Sequence, residues 1–571
     1  MTLENRSIPE NKGLIPDKEI ITPERHRWFY FSKEKTGQVQ VGLENINTGI
    51  VTSCVLGNPE RDVETFEAWS MARHSRSPKN STEILHEMVE KDINPQEKAE
   101  NVINYGHASV RDLATLKTHI ENIPMHLAFS IFNNLWANGG QEKSTRFQTE
   151  FKDCPLIDVD IVNSNLHPEI KEKYYEIGEY TNQKYKEYQE IIKDRFRQFY
   201  KPVDQSQEKT TISRALDSSR VFILMGRKTG MSLKDTPRNL MKLTGELLAA
   251  PQDLYSDYAE QQITFFNPPD FVTEKFKYVP PARVFIKHTE KADTANNNLF
   301  ELKKYLEKST DLLSCVPRNF EFKGRVNLEL KLLSSRVKSS EKMFAQYIIS
   351  LYPSMQFKDI IPWVRKQDKD TKRLLSLLIF QGHDHHKQMP SIARVNAISA
   401  VNTMSLSEAK DLNRQRGLGR FLNIPFVFGL KPNKETIKEI LSSGYILPLY
   451  ISDVKEFRDI KLDMERDLNT LFSKLNDAVE LTSKHHGDNY DYSYIYNLLP
   501  FSLATKFTLH ADPQQVVYFP SLRGRDGGQI NYVHLAYLFS EAVFEKDELF
   551  FGAWRRTKPD PADREAFFRR N

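Results

Sequence analysis

A recurrence in the order of its motifs limits this chain more than any other feature. A Gly-His dipeptide closes a helical stretch twice, at Gly106-His107 and at Gly382-His383. Each is followed by a mixed segment and a polar loop ending Arg-Phe, "STRF" at 144–147 and "GLGRF" at 417–421, and then by a long helical half. Repetition at this scale predicts one supersecondary unit used twice. The 571 residues suffice for two domains or more with sizeable cores. The expected division is 1–290 and 300–571, with the stretch 265–298, which carries two Pro-Pro pairs and an Asn run, as connector.

Periodicity fills in the halves. Residues 1–60 read as an irregular arm and short strands, and helical spacing begins over 62–77. "LKTHI" (116–120) is strand-like and leads into a helix starting near Pro124, a good first-turn residue. Residues 168–198 form a charged amphipathic helix, and 212–262 form further helices broken at "GRKTGM" and "AAP". Beyond the connector, helices are expected over 327–352, 370–381 and 407–417, with a final helical region from about 456. The fold class expected is α/β of the α+β kind, helix-rich, each half a small sheet flanked by long helices.

Charge is nearly balanced, 80 basic against 76 acidic residues and +4 overall, so neither nucleic acid nor a membrane surface is an expected partner. Cys54, Cys154 and Cys315 are far apart and form no CxxC pair, which fits a reducing compartment. The N-terminal stretch is polar, and no apolar run approaches the roughly 18 residues of a membrane span. The expectation is a cytoplasmic protein. "GHDHHKQM" (382–389) invites a metal reading, but consecutive residues cannot all face one ion, and no metal is expected there.

The stretch "GGQEKSTRFQ" (139–148) stands out, with Gln141, Glu142, Ser144 and Arg146 after a Gly-Gly turn. This polar set fits neither an amphipathic helix nor an alternating strand. It resembles the signature loop of the flavin-dependent thymidylate synthases of the ThyX type, whose pattern is Arg-His-Arg, a spacer, then Asn/Gln-Glu-x-Ser-x-Arg-Tyr, with Phe147 here for the Tyr. "GHASV" and "KTHIENIP" are similar to segments upstream of that loop. The first half carries Asn134-Leu135-Trp136 where Arg-His-Arg belongs, whereas the second carries Arg414-Gln415-Arg416 in "DLNRQRG". Near the C-terminus, "LLPFSLATKFTLHADPQQVVYFPSLRGRDGGQINYV" resembles the family's closing segment and keeps Arg523, with Tyr496 where a second arginine belongs. The parallel stretch of the first half keeps that arginine as Arg220 and has Leu247 near the counterpart of Arg523.

The resemblance implies a fused pair of thymidylate-synthase-complementing-type units with one composite site, each half supplying what the other lacks. Gln141, Glu142, Ser144, Arg146, Arg220 and Arg523 would bind a pyrimidine nucleotide, Arg523 and Ser144 acting in catalysis. His107, Ser109, Glu142, Arg414, Gln415 and Arg416 would hold FAD. Guanidinium suits phosphate through bidentate, charge-assisted hydrogen bonds, and Arg523 suits charge developing on the uracil edge. The implied reaction is C5-methylation of a uracil nucleotide, dUMP to dTMP, with methylenetetrahydrofolate and NADPH as co-substrates, in a homodimer that forms a pseudo-tetramer. Two alternatives stay open: a non-catalytic homologue that binds nucleotide or flavin, and a flavin enzyme for another modified pyrimidine nucleotide. For Arg523 and Arg525 the plain alternative is a basic loop, and for Arg414 and Arg416 a surface charge pair.

Overall fold

The computed structural model describes residues 15–33, 38–74, 77–91, 97–99, 108–134, 139–143, 161, 164–286, 320–333, 338–351, 356–380, 397–415, 417–525, 527–547 and 556–569. Along them the chain starts as a meander, β1 (Lys18–Ile21), β2 (His26–Lys33), β3 (Gln38–Asn45) and β4 (Val51–Leu56). Helices α1 (Val63–His74) and α2 (Ser81–Glu90) follow, then β5 (Leu116–Pro124), α3 (Met125–Asn134) and β6 (Gly139–Glu142). Next come α4 (Pro168–Tyr200), α5 (Gln205–Ser219), β7 (Lys228–Asp235), α6 (Pro237–Leu248), α7 (Asp253–Phe266) and α8 (Asp270–Phe276). The remainder is β8 (Glu329–Leu332), α9 (Ser339–Leu351), α10 (Phe357–Lys366), α11 (Lys369–Phe380), β9 (Ile398–Ser405), α12 (Leu406–Asn413) and β10 (Gly419–Leu422). It closes with α13 (Lys434–Ser442), α14 (Arg458–His486), β11 (Ala504–Ala511), α15 (Pro513–Arg523) and α16 (Ile530–Lys546).

The architecture is α+β: helices around two antiparallel sheets, one in the order β1-β2-β3-β4-β5-β7-β6 and one in the order β10-β11-β9-β8. The run β5-α3-β6-α4-β7-α6 matches β9-α12-β10-α14-β11-α15 in element order and in strand pairing. Registers agree too. Gly139 pairs with Lys234 and Glu142 with Met231, as Gly419 pairs with His510 and Leu422 with Phe507. A single offset in numbering carries β7 onto β11 and α6 onto α15. Both of those helices begin with an oxygen-bearing cap and Pro at the first position, Thr236-Pro237 and Asp512-Pro513.

The two runs face each other across a local pseudo-twofold axis. Leu224 bridges antiparallel to Pro500, its own counterpart under that offset. Flanking bonds come in reciprocal pairs: Met225 N–H to Leu499 O (2.9 Å) with Phe501 N–H to Ile223 O (2.7 Å), and Gly226 N–H to Asn497 O (2.8 Å) with Ser502 N–H to Val221 O (3.1 Å). Such reciprocity is the mark of an isologous contact, here within one chain.

Packing follows. The buried positions of α4 (Ile170, Tyr174, Ile177, Thr181, Tyr185, Tyr188, Ile192, Phe196) recur at three- and four-residue steps, one stripe along a 33-residue helix about 50 Å long. That stripe lies antiparallel on α14: Glu169 meets His485, Tyr188 hydroxyl donates to Asp467 (2.8 Å), and Arg195 reaches Asp459 (2.6 Å). One apolar core runs from Met125 through both long helices to Phe567, so the two runs share their interior. A separate core backs the meander.

Several expectations are corrected. "GRKTGM" opens β7, a strand with neighbours on both sides, because its buried alternation (Thr229, Met231, Leu233) fits a pleat. Gly139-Gly140 forms an edge strand in place of a turn; a Cβ at Gly140 would come within 2.9 Å of Leu233 and 3.0 Å of Ser232 O, so glycine permits the close pairing. The expected alignment of "STRF" with "GLGRF" is displaced, since Arg420 and Phe421 pair in the register of Gly140 and Gln141. Residues 270–286, expected as connector, carry α8 and bury Val272, Phe276 and Phe285 in the meander's core. The boundary near 290–300 lies outside the described residues.

Candidate functional site

The first turns of α12 set the stage. Ser405 and Glu408 form a capping box, fixing where this helix begins. The rest of the helix then places Lys410, Asp411 and Arg414 at its C-terminal end, where the helix dipole favours cations. Glu408 is buried and accepts from Ser405 N–H (3.0 Å), Gln529 Nε2 (3.0 Å) and Asn531 Nδ2 (3.4 Å). Burial pushes its carboxyl above the usual range, against the Ser405 hydrogen bond and Arg220.

The first run meets this helix end from across the axis. Lys410 Nζ lies 2.8 Å from Glu142 Oε1, with side-chain exposures of 6% and 3%. Thr229 Oγ1 also donates to Glu142 (3.4 Å). Arg220, brought in by the turn after α5, donates to Asp411 Oδ2 (3.2 Å) and lies 3.8 Å from Asp217. Arg414 takes the other Asp411 oxygen. Burial opposes both guanidinium charges, but Asp411 foremost, with Asp217 beside Arg220 and Glu142 beside Arg414, raises both above their ordinary range. Arg523, at the last turn of α15, donates from Nε to Gln415 Oε1 (3.3 Å) and sits 5.0 Å over the Tyr532 ring. The result is a chain of alternating charges running from a sealed interior (Glu142, Lys410, Arg220) to a partly open edge (Asp411, Arg414, Arg523).

The structure therefore brings together Glu142 and Arg220 of the first run with Arg414, Gln415 and Arg523 of the second. It gives several of them different roles from those expected. Gln141 is exposed and, by strand alternation, faces away from Glu142, so it does not join the cluster. Arg220 is sealed at 3% exposure and ion-paired; it orients Asp411 and is not open to a phosphate. Gln415 is buried and holds Arg523. Ser109 lies in a 3-10 turn (Ala108–Asp112) packed against α1 and α6. His107, Ser144, Arg146 and Arg416 lie outside the described residues. The sequence reading missed Glu408, Lys410 and Asp411, although the steps 408, 411, 414 trace one helix face inside the same "SEAKDLNRQR" segment.

The pseudo-twofold axis generates a second position, and its chemistry is opposite. Counterparts of Glu142, Glu408, Lys410, Asp411, Arg220 and Arg523 are Leu422, Leu127, Phe129, Ser130, Tyr496 and Leu247. All are buried and all but Ser130 belong to the apolar cores. One side of the axis is a charged cluster, the other hydrophobic interior.

At the charged side, the buried polar atoms that meet no hydrogen-bond partner among the described residues include Arg414 Nε and Gln515 Oε1. Unmet buried donors and acceptors beside partly exposed arginines fit an anionic, hydrogen-bonding ligand. No protein-family model matches the chain, and no curated protein matches it.

Proposed function

We propose that this cluster is a single composite site for FAD and a pyrimidine nucleotide. In this reading the chain is a fused, flavin-dependent thymidylate-synthase-like methyltransferase acting on a uracil nucleotide, dUMP to dTMP in type. The supporting observation is asymmetry about the axis: residues contributed by both runs converge as charge on one side, while their counterparts, Ser130 apart, belong to the apolar cores. Arg414 would hold flavin phosphate through its guanidinium, whose Nε lacks a partner among the described residues while Asp411 orients the group. Arg523, held by Gln415, would face charge developing on the uracil ring. Bound reduced FAD supplies hydride chemistry, with methylenetetrahydrofolate and NADPH as co-substrates. Two chains pairing as a pseudo-tetramer in the cytoplasm complete this reading.

A second reading has its own observation. Arg220 and Lys410 are already neutralised by Asp411 and Glu142, as expected of a cluster that holds the two runs together and binds flavin or nucleotide without turnover. Flavin released from purified protein, measured against chain concentration, tests both. About one FAD per chain is expected, since only one side of the axis carries charge. A ratio near two contradicts the single site, and protein that takes up no FAD removes the flavin reading. Arg414→Ala should bleach the protein. Arg523→Ala should keep the flavin and lower turnover more than nucleotide binding, because its contact strengthens as ring charge develops; flavin retained with no turnover in the parent chain supports the binding-only reading.

A further inference from the structure

The antiparallel pairing of the two long helices brings the start of α4 to the finish of α14. His167 caps α4 and Glu169 lies in its first turn, while His485 and His486 are the last residues of α14. The His167 and His485 rings stack with centroids 3.7 Å apart and planes 10° from parallel. His485 Nε2 lies 3.0 Å from Glu169 Oε2. One ligand atom from each of His167, Glu169 and His485 falls within 4.8 Å of the others. His486 plays a different part. Its Nε2 accepts the His167 backbone N–H (3.2 Å), and its ring stacks on Tyr490 at 4.3 Å, which fixes the backbone that presents His167.

An ordinary reading exists for each residue singly. A carboxylate at a helix start and imidazoles at a helix end suit the dipoles. It leaves unexplained why two imidazoles and a carboxylate from two separate helices converge on one point. We propose that His167, Glu169 and His485 bind a divalent transition-metal ion of the Zn2+ class, with water in the fourth position, as a clip between the ends of α4 and α14. Two nitrogens and one carboxylate oxygen suit such an ion, whereas Mg2+ and Ca2+ prefer all-oxygen shells. Tetrahedral ligands at Zn–N distances of about 2.0–2.1 Å stand roughly 3.3 Å from one another, so the three groups close inward by small rotations. The stacked rings open to aim their in-plane lone pairs at one ion. His167 then gives up its close stack on His485 and the long 3.3 Å contact its Nδ1 accepts from Glu169 N–H. Glu169 is exposed, and its carboxylate already faces His485 at 3.0 Å.

The test uses the full chain, stripped with chelator and then titrated with ZnCl2 by calorimetry and with CoCl2 by visible absorption. Expected are a Zn2+ site at one equivalent, tetrahedral Co2+ bands and a raised thermal midpoint. His167→Ala and His485→Ala should each weaken that site by roughly 10- to 100-fold or more. Glu169→Gln, at an exposed position, is the variant that leaves folding intact, and it should weaken the site in the same direction. Replacing His383, His385 and His386, which lie outside the described residues, by alanine should leave the site unchanged. Zn2+ binding that survives in folded His167→Ala and His485→Ala overturns the proposal. So does loss of binding only in the His383/His385/His386 variant, or absence of tetrahedral Co2+ bands.

Discussion

At the scale of single residues, Glu142 and Lys410 carry the sharpest consequence. Both are sealed, and each is the other's charge partner at 2.8 Å. Removing one partner strands the other in a medium that does not solvate it, so Glu142→Ala should cost about 3–5 kcal/mol in denaturant unfolding. The double variant Glu142→Leu/Lys410→Met, which takes on the apolar character of counterparts Leu422 and Phe129, should recover most of that loss, because packed hydrophobic groups replace buried pairs with little penalty. A loss under about 1 kcal/mol for Glu142→Ala would mean that water reaches the pair. Neither partner's role could be read from the sequence. Glu142 was legible as a candidate from its polar neighbours, but Lys410 looked like one more charge on an amphipathic helix. What makes it a site residue is a contact with Glu142, more than 250 residues away in the sequence.

Elements were legible in proportion to how local their causes are. The α4 stripe is written in a 3.6-residue period and lies where that period places it, to within two residues of its C-terminal end. β7 and β11 were not recognised as strands: their buried positions alternate, but each run is only eight residues long and stands among helical segments, so a short alternation did not outweigh the helical period around it. A pH experiment addresses the contact of α1 with α2. Lys91, Lys79 and Arg73 hold the Glu87 carboxyl down to about 2, from an ordinary 4.5. A carboxyl lowered on folding stabilises above its unfolded value and loses that contribution as pH falls through the folded one. Glu87→Gln should therefore lower the thermal midpoint near neutral pH, and the difference from the parent chain should shrink as pH drops from about 4.5 towards about 2. A difference that stays constant across that window would show that charge is not what Glu87 contributes. The three cations sit on α1, in the turn before α2 and just past the end of α2, and all are at least partly exposed, so high salt should shrink the effect as well.

For the whole molecule, the pseudo-twofold axis is the organising fact, and its tightest point is testable. Gly226 meets the facing backbone so closely that a Cβ there would lie 2.6 Å from Asn497 Cβ and 2.7 Å from Asn497 O. Backbone cannot step aside as a side chain does. Gly226→Ala should cost about 1–3 kcal/mol or more in denaturant unfolding by forcing the runs apart. Gly57, with nothing within 4 Å of its would-be Cβ, is the control, and Gly57→Ala should unfold with the parent midpoint. Equal behaviour of the two variants would contradict the close crossing. Among the described residues no helix is long and apolar enough to cross a membrane.

What the sequence determined by itself is the local half of this protein: helical periods and caps such as Asp512-Pro513. Those signals act within a few residues, where spacing and side-chain type suffice. The register of the recurrence was beyond it, because the equivalence of Gly139–Glu142 with Gly419–Leu422 rests on which backbone groups pair, and the two stretches share little besides glycine. Only the tertiary structure decided that Arg220 is sealed against Asp411, that Gln141 points away while Glu142 points in, and that one side of the axis is charged while the other is oil. Those outcomes depend on burial and on partners far away in sequence, which set the cost of a charge more than its identity does.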